Sequence, residues 1–552
     1  MIRPKSSLAL LLVLILVVLI SATAPAQAAP IPKGAVWHEE YFESEDGTIL
    51  HADVFRPEHL SEKAKTPVIL SIGPYYGTSG TDSSPIMRFP EVFTEGKIMQ
   101  RGYTWVQVDL RGFGSSGGCG DLGGPGEQMD TKAAVEWAAS QPWSTGKVGM
   151  WGKSYDAWTQ VMALALKPKG LAATVIHSPL LETYRGFYMN GVHYSVGWYL
   201  TPTVYAADDL LPPALGSSPN EFVNALGGTA TNPDCYAENH ALTLYPEHDF
   251  TYWNERDIVE QAQRSDVPTL WSHGALDANT KPDNFLDVYS KLRGPKKVWF
   301  GQYDHVRGNE VNFVGRDGFM DQAMRWFDYY VKGVPLSKAP VTKDPSATIQ
   351  QGNDGKWRLE KQWPPADAKY YSLPLGNGGY TDDPQDNSAT NPSVGAWTFT
   401  QPMPYDVHYA GVPKLEVNVQ AISPRVNLIA LVYSVTPSGS ARLMTRGAYA
   451  TGSGEIEFEL YPQDYRIPRG NRIGVFVSGS DSLWYTPQVF SMTPVLVTEG
   501  SLSLPFLSWD RDEFVAGRPA SAMLTWPVAS VPTRMMKEFE KQAKLPPPMK
   551  ER

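Results

Sequence analysis

Turning a side-chain hydroxyl into a nucleophile takes an imidazole to accept its proton and a carboxylate to fix the imidazole's tautomer. This chain carries the three types in the order Ser154, Asp277, His305. Ser154 stands in Gly152-Lys153-Ser154-Tyr155, between a short apolar run, Val148 to Trp151, and a stretch of helical apolar spacing, Tyr155 to Leu166. A strand that turns sharply into a helix lifts a serine hydroxyl above a sheet; glycine permits the close backbone approach, and the helix N-terminus offers N–H groups to an oxyanion. The usual pattern has glycine two residues after the serine. Here that position is Asp156, followed by Ala157. Asp277 comes just after the apolar run Pro268 to Ser272, and His305 just after Lys297 to Gly301. His273 competes as the base but precedes the acid, and Asp304 competes as the acid but is adjacent to the ring it would orient. The chemistry expected of such a set is nucleophilic acyl transfer.

The elements around these residues fit that use. Trp37 to Ser44 and Thr48 to Arg56 flank Glu45-Asp46-Gly47, and Asp-Gly between such runs predicts a hairpin. Val68 to Ile72, Tyr103 to Leu110, Val148 to Trp151, Ala172 to Ile176, Pro268 to Ser272 and Lys297 to Gly301 read as buried strands. Helical patterns at Glu127 to Ser140 and Tyr155 to Leu166 alternate with them, which predicts a parallel sheet with crossover helices. Leu180 to Gln263, rich in Tyr, Trp, Asn and Pro, reads as an inserted helical cap, and Gly315 to Lys332 as an amphipathic helix. From about residue 345 the texture becomes β-branched runs, such as Leu415 to Gln420 and Leu428 to Val435, separated by turn residues. That predicts an all-β sandwich or jelly roll. The tail from Pro532, with Pro546-Pro547-Pro548, reads as poorly ordered.

At 552 residues the chain is too long for one core. Its net charge of −10 with no basic stripe argues against nucleic acid as a partner. Arg3 and Lys5, the apolar run Leu8 to Ile20 and Ala26-Gln27-Ala28 have the layout of a secretory signal peptide, so export with Ala29 as the mature N-terminus is expected, and no membrane association after cleavage. An N-terminal anchor is the competing reading, for which the run is short. Cys119 and Cys235, the only two cysteines, are expected to pair in an oxidising compartment; two unrelated thiols are the alternative. No cluster has metal-ligand spacing, and neither metal nor cofactor is expected.

Further pieces carry a resemblance. They include Gly73-Pro74-Tyr75, Asp109-Leu110-Arg111-Gly112, Gln141-Pro142-Trp143-Ser144, Gly152-Lys153-Ser154-Tyr155, His273-Gly274 with Asp277, Arg325-Trp326-Phe327-Asp328 and Pro468-Arg469-Gly470-Asn471-Arg472. In this order they resemble the X-prolyl dipeptidyl-peptidase and cocaine-esterase family of serine hydrolases over about residues 36 to 505. The resemblance implies an α/β fold: an α/β-hydrolase domain at 29–340 with its cap at about 180–263, a jelly-roll domain at 341–510 and an extension at 511–552, after a signal peptide at 1–28. It also implies an oxyanion hole made by a tyrosine hydroxyl, which maps to Tyr75 with Tyr76 as the alternative, and by the backbone N–H of Tyr155. The substrate implied is a small peptide or ester. The Gly-Lys-Ser-Tyr turn leans towards release of X-Pro dipeptides, with an acyl esterase or amidase as the alternative. Ala278-Asn279-Thr280 after the acid disfavours the amino-ester hydrolases, which place acidic residues there, and Glu182, Asp208 and Asp209 are the cap carboxylates available to a substrate ammonium. A secreted binding protein with a degenerate hydrolase part is the reading from another class.

Overall fold

The computed structural model describes residues 31–76, 88–194, 238–239, 241–384, 395–481, 484–485 and 489–551. The signal segment, Cys235, Asp208 and Asp209 lie outside them.

Short runs of branched and aromatic residues, buried on both faces, are what a parallel sheet covered by helices requires. They form the centre of a ten-stranded sheet in the order β1-β2-β4-β3-β5-β6-β9-β10-β11-β12. These strands are β1 (Ala35–Glu43), β2 (Ile49–Pro57), β3 (Thr66–Gly73), β4 (Thr104–Asp109), β5 (Ser144–Lys153), β6 (Leu171–His177), β9 (Thr269–Gly274), β10 (Lys296–Gly301), β11 (Ala347–Gln350) and β12 (Trp357–Glu360). The β1–β2 hairpin turns at the expected Asp-Gly, with Glu43 opposite Ile49. From β4 through β11 all neighbours are parallel. Helices Pro125–Ser140 and Tyr155–Leu166 pack with β3 and β5 on one face; helix Phe319–Tyr330 covers the other, setting Phe327 and Met324 among Ile69, Trp105 and Trp151. That last helix begins at Phe319, not at Gly315, because Gly315 and Gly318 both adopt positive φ and break the helix before it.

Three expectations change. The catalytic sheet does not stop at residue 340, since β11 pairs in parallel with β10 and β12 closes the edge. The cap contains, besides helices Thr183–Phe187, Thr251–Asn254 and Val259–Gln263, a small hairpin of β7 (Tyr188–Met189) and β8 (Val192–His193); its centre, 195–237, lies outside the described residues. The tail is built into the second domain rather than left loose. Within it β25 (Glu540–Lys541) pairs with β15 (Ala396–Thr400), and just before it β24 (Val528–Ser530) pairs with β19 (Ser440–Thr451).

The second domain is a sandwich of two sheets closed over Leu415, Val417, Leu428, Val475, Leu502 and their neighbours. The alternating burial of β17 (Lys414–Ala421) shows the period of two expected of a strand facing a core on one side. It is tied to the catalytic domain through β21 (Gln463–Ile467). Arg358 of β12 grips the Asp464 carboxylate with two nitrogens, and Gln302, three residues before His305, donates to Gln463 Oε1 at 2.6 Å.

Candidate active site

The parallel register brings the strand ends level, with Leu70 opposite Met150, Lys153 opposite His177, His177 opposite Ser272, and Gly274 opposite Gly301. Tyr75, Ser154, Asp277 and His305 therefore leave one rim of the sheet, on the loops after β3, β5, β9 and β10.

Ser154 has φ 66° and ψ −122°, a conformation that costs a non-glycine residue about 1–3 kcal/mol and persists only where its surroundings enforce it. Its N–H donates to His177 O at 3.1 Å, and its carbonyl accepts from Ala157 and Trp158 at 3.0 and 2.9 Å, which starts the helix at once. Gly152 is required: a Cβ there would lie 2.3 Å from Asp156 O. The preceding Lys153 is half-buried and near Arg307, which together push its ammonium down to about 8, and it donates to His305 O at 3.3 Å.

Asp277 is wholly buried, and its Oδ2 accepts from His305 Nδ1 at 2.9 Å. Its Oδ1 accepts the backbone N–H groups of Asn279 and Thr280, both at 2.9 Å, and Thr280 Oγ1 lies 3.1 Å from Oδ2 and 3.2 Å from the histidine Nδ1. Burial alone would raise this carboxyl; the His305 ring and these hydrogen bonds outweigh it and hold it at about 2. The competitors sit elsewhere. His273 Nε2 is 3.9 Å from Asp277 and faces Thr280 O at 2.9 Å, while Asp304 Oδ1 accepts the Ala278 N–H. Sequence reasoning named Thr280 without giving it a part in the site. An Asp-x-x-Thr turn, in which side chain and backbone can close on the acid, was the signal.

On the other side of the serine the two tyrosines separate. Tyr76 is buried, its hydroxyl 2.6 Å from Ser71 Oγ and donating to Asp156 Oδ2 at 3.0 Å. Tyr75 is half-buried, with the Arg88 guanidinium stacked 3.5 Å from its ring centre. Arg88 in turn donates to Asp156 through Nε at 2.8 Å and Nη2 at 2.6 Å. Tyr155 opens the helix, and its side-chain hydroxyl donates to Glu127 Oε2 at 2.6 Å; burial and Asp121 raise Glu127 to about 8.

Around the rim, Glu182 is buried and already engaged by Arg185 Nε at 2.9 Å and His248 Nε2 at 3.5 Å. Spacing along the chain disclosed no metal cluster, yet the fold gathers Glu182, His248 and Asp257, and separately Glu39, His51 and Asp53, with ligand atoms within 4.8 Å of one another. Cys119 is disulfide-bonded. A cavity of about 900 Å³ beside β12 and Trp509 is lined by none of the candidate catalytic residues.

Residues 46–307 match the X-Pro dipeptidyl-peptidase (S15) family, and residues 339–489 match the X-Pro dipeptidyl-peptidase C-terminal non-catalytic domain. The chain belongs to this family of serine hydrolases. Among relatives, a candidate Xaa-Pro dipeptidyl-peptidase of Streptomyces avermitilis is 26% identical over 70% of this chain and 61% of its own length. A similarly named protein of Bacillus cereus is 24% identical over 82% of this chain and 86% of its own. The chain thus spans about three-fifths of the first and most of the second. Solved family-like folds include a CocE/NonD family hydrolase of Staphylococcus aureus, 17% identical over 86% of this chain and 94% of that one, with a TM-score of 0.68. An α-amino acid ester hydrolase, 18% identical over 88% of this chain and 98% of that one, also has a TM-score of 0.68. At these identities the structural likeness speaks to the fold, an α/β-hydrolase followed by a β-rich domain.

Proposed function

We propose that this protein is an exported serine hydrolase that releases X-Pro dipeptides from peptide N-termini. The observation carrying the mechanism is the 2.9 Å Asp277–His305 bond on the same rim as a serine held at positive φ. In the proposed reaction Ser154 Oγ attacks the scissile carbonyl carbon and its proton passes to His305 Nε2. Tyr75 OH and Tyr155 N–H donate to the oxygen that becomes negative. The acyl–nitrogen bond then breaks, His305 returns the proton to the leaving amine, and water repeats the sequence to free the acid and restore the serine. Asp277, ionised throughout the physiological range, keeps Nδ1 protonated and Nε2 free to act.

The peptide substrate is supported by the names of the dipeptidyl-peptidase relatives and by the Gly-Lys-Ser-Tyr turn. Export is supported by the N-terminal sequence and by the oxidised state of Cys119. One observation favours ester hydrolysis instead: among the described cap residues, Glu182 already has two cationic or ring-nitrogen partners, with which a substrate ammonium would compete.

Hydrolysis of Ala-Pro anilide and its N-acetylated form separates the two. An exopeptidase that pairs with the free amine loses about ten- to a hundredfold in rate on acetylation, the equivalent of one charge-assisted hydrogen bond of about 1.5–3 kcal/mol. Equal rates, or turnover of aryl esters only, move the protein to the esterase side. Labelling of the wild type by a fluorophosphonate, absent in Ser154→Ala, tests the nucleophile separately.

A further inference from the structure

The position where the serine turn usually has glycine is Asp156, and what surrounds it is more specific than a tolerated substitution requires. Its carboxylate is fully buried at the second residue of the helix that Ser154 opens. It receives Arg88 through two nitrogens at 2.8 and 2.6 Å, and the Tyr76 hydroxyl at 3.0 Å. Arg88 Nη2 also reaches Lys153 O, the residue before the serine, at 3.3 Å. Tyr75 lies against the flat face of the guanidinium, 3.5 Å from its ring centre. Gly73, at the end of β3, lets the two elements approach: a Cβ there would lie 3.2 Å from Asp156 Cβ.

We infer that Arg88 and Asp156 are positioning residues that set the Tyr75 ring at a fixed distance from Ser154. The inference rests on the proposed oxyanion role of Tyr75. Tyr155 N–H is placed by the helix itself, whereas Tyr75 belongs to the loop after β3 and needs a separate tie to that helix. Arg88 supplies it: its edge is bonded to residues on either side of the serine and its face carries the tyrosine. Tyr76, bonded to Ser71 and to the same carboxylate, pins the adjoining backbone. A planar guanidinium bonds along its edge and stacks on its face at once, which an ammonium cannot do. The group against the ring is the cation, so the stack also favours negative charge growing near the tyrosine hydroxyl.

The test is a cycle on kcat and KM with Tyr75→Phe and Arg88→Lys, which keeps the charge and loses the plane. Arg88→Lys is expected to lower kcat about tenfold with KM within about twofold, and to change kcat less than about twofold in the Tyr75→Phe background. Should Arg88→Lys not fold, Arg88→Met with Asp156→Gly removes both charges, restores the usual glycine and is expected to give the same pattern. An equal loss in both backgrounds, or none in the wild-type background, overturns the inference and leaves Tyr75 in place. If Tyr75→Phe alone leaves kcat unchanged, the oxyanion assignment itself falls.

Discussion

The two flanks of Ser154 are held by opposite means. On the acid side, the Asp277 carboxylate is fixed by the N–H groups of Asn279 and Thr280, two and three residues away, and by His305 from the next loop. On the side of the proposed oxyanion hole, the bonds link residues 68 and 80 positions apart and run through a buried ion pair. A tight turn holds its acid almost regardless of what the rest of the molecule does. A buried pair demands that the chain after β3, the segment at Arg88 and the helix after β5 arrive together, and it penalises any state in which one member is missing. The first flank should therefore be fragile in function and robust in folding, and the second the reverse.

The largest separation is expected from Asp277→Asn. With the wrong ring tautomer favoured, kcat should fall by about 10⁴, while the amide retains much of the turn and the unfolding free energy falls by only about 2 kcal/mol. A large loss of stability would erase the contrast. Next is Asp156→Ala, which leaves the Arg88 cation buried without its carboxylate. We expect a loss of about 3–5 kcal/mol in urea unfolding, and an unchanged midpoint would mean that the pair is solvated or dispensable. The smallest is an acid effect on the first flank. Asp277 is depressed from 3.8 to about 2, so its contribution is present above pH 3.8 and lost as the pH falls through 2. The difference is about 2 kcal/mol. Between pH 4 and 2 the wild type should lose stability more steeply than Asp277→Asn; parallel slopes would show that the histidine bond does not depress this carboxyl.

Sequence reading reached the strands, the serine turn and the two later loops because each is encoded within a few residues: an apolar run, a glycine, a helical period. It placed helix Tyr155–Leu166 to the residue. It stopped the catalytic sheet too early because β11 and β12 are four residues each, too short for their pattern to say which sheet they join, a choice made by pairing with β10. It left the tail loose because a proline-rich end looks unstructured alone. In the fold, Tyr405 OH donates to Pro546 O at 2.5 Å and Gln401 bonds Ala543 in both directions.

The sequence by itself stated the proposed order of nucleophile, acid and base, the class of fold that would carry them, and the family. Those properties follow from residue type and local spacing, which the chain states directly. Tertiary structure added the contact itself: His305, which chain order had favoured over His273, lies 2.9 Å from the acid and His273 lies 3.9 Å away, a matter of ångströms between loops that spacing cannot give. It also separated Tyr75 from Tyr76, which are equivalent as letters and differ only in what lies against them: the Tyr76 hydroxyl bonds Asp156, and the Tyr75 ring carries the Arg88 guanidinium. And it gave Asp156 its partner, a residue 68 positions away whose pairing no spacing rule anticipates, since burial makes an isolated charge intolerable and the fold had to bring a cation to it.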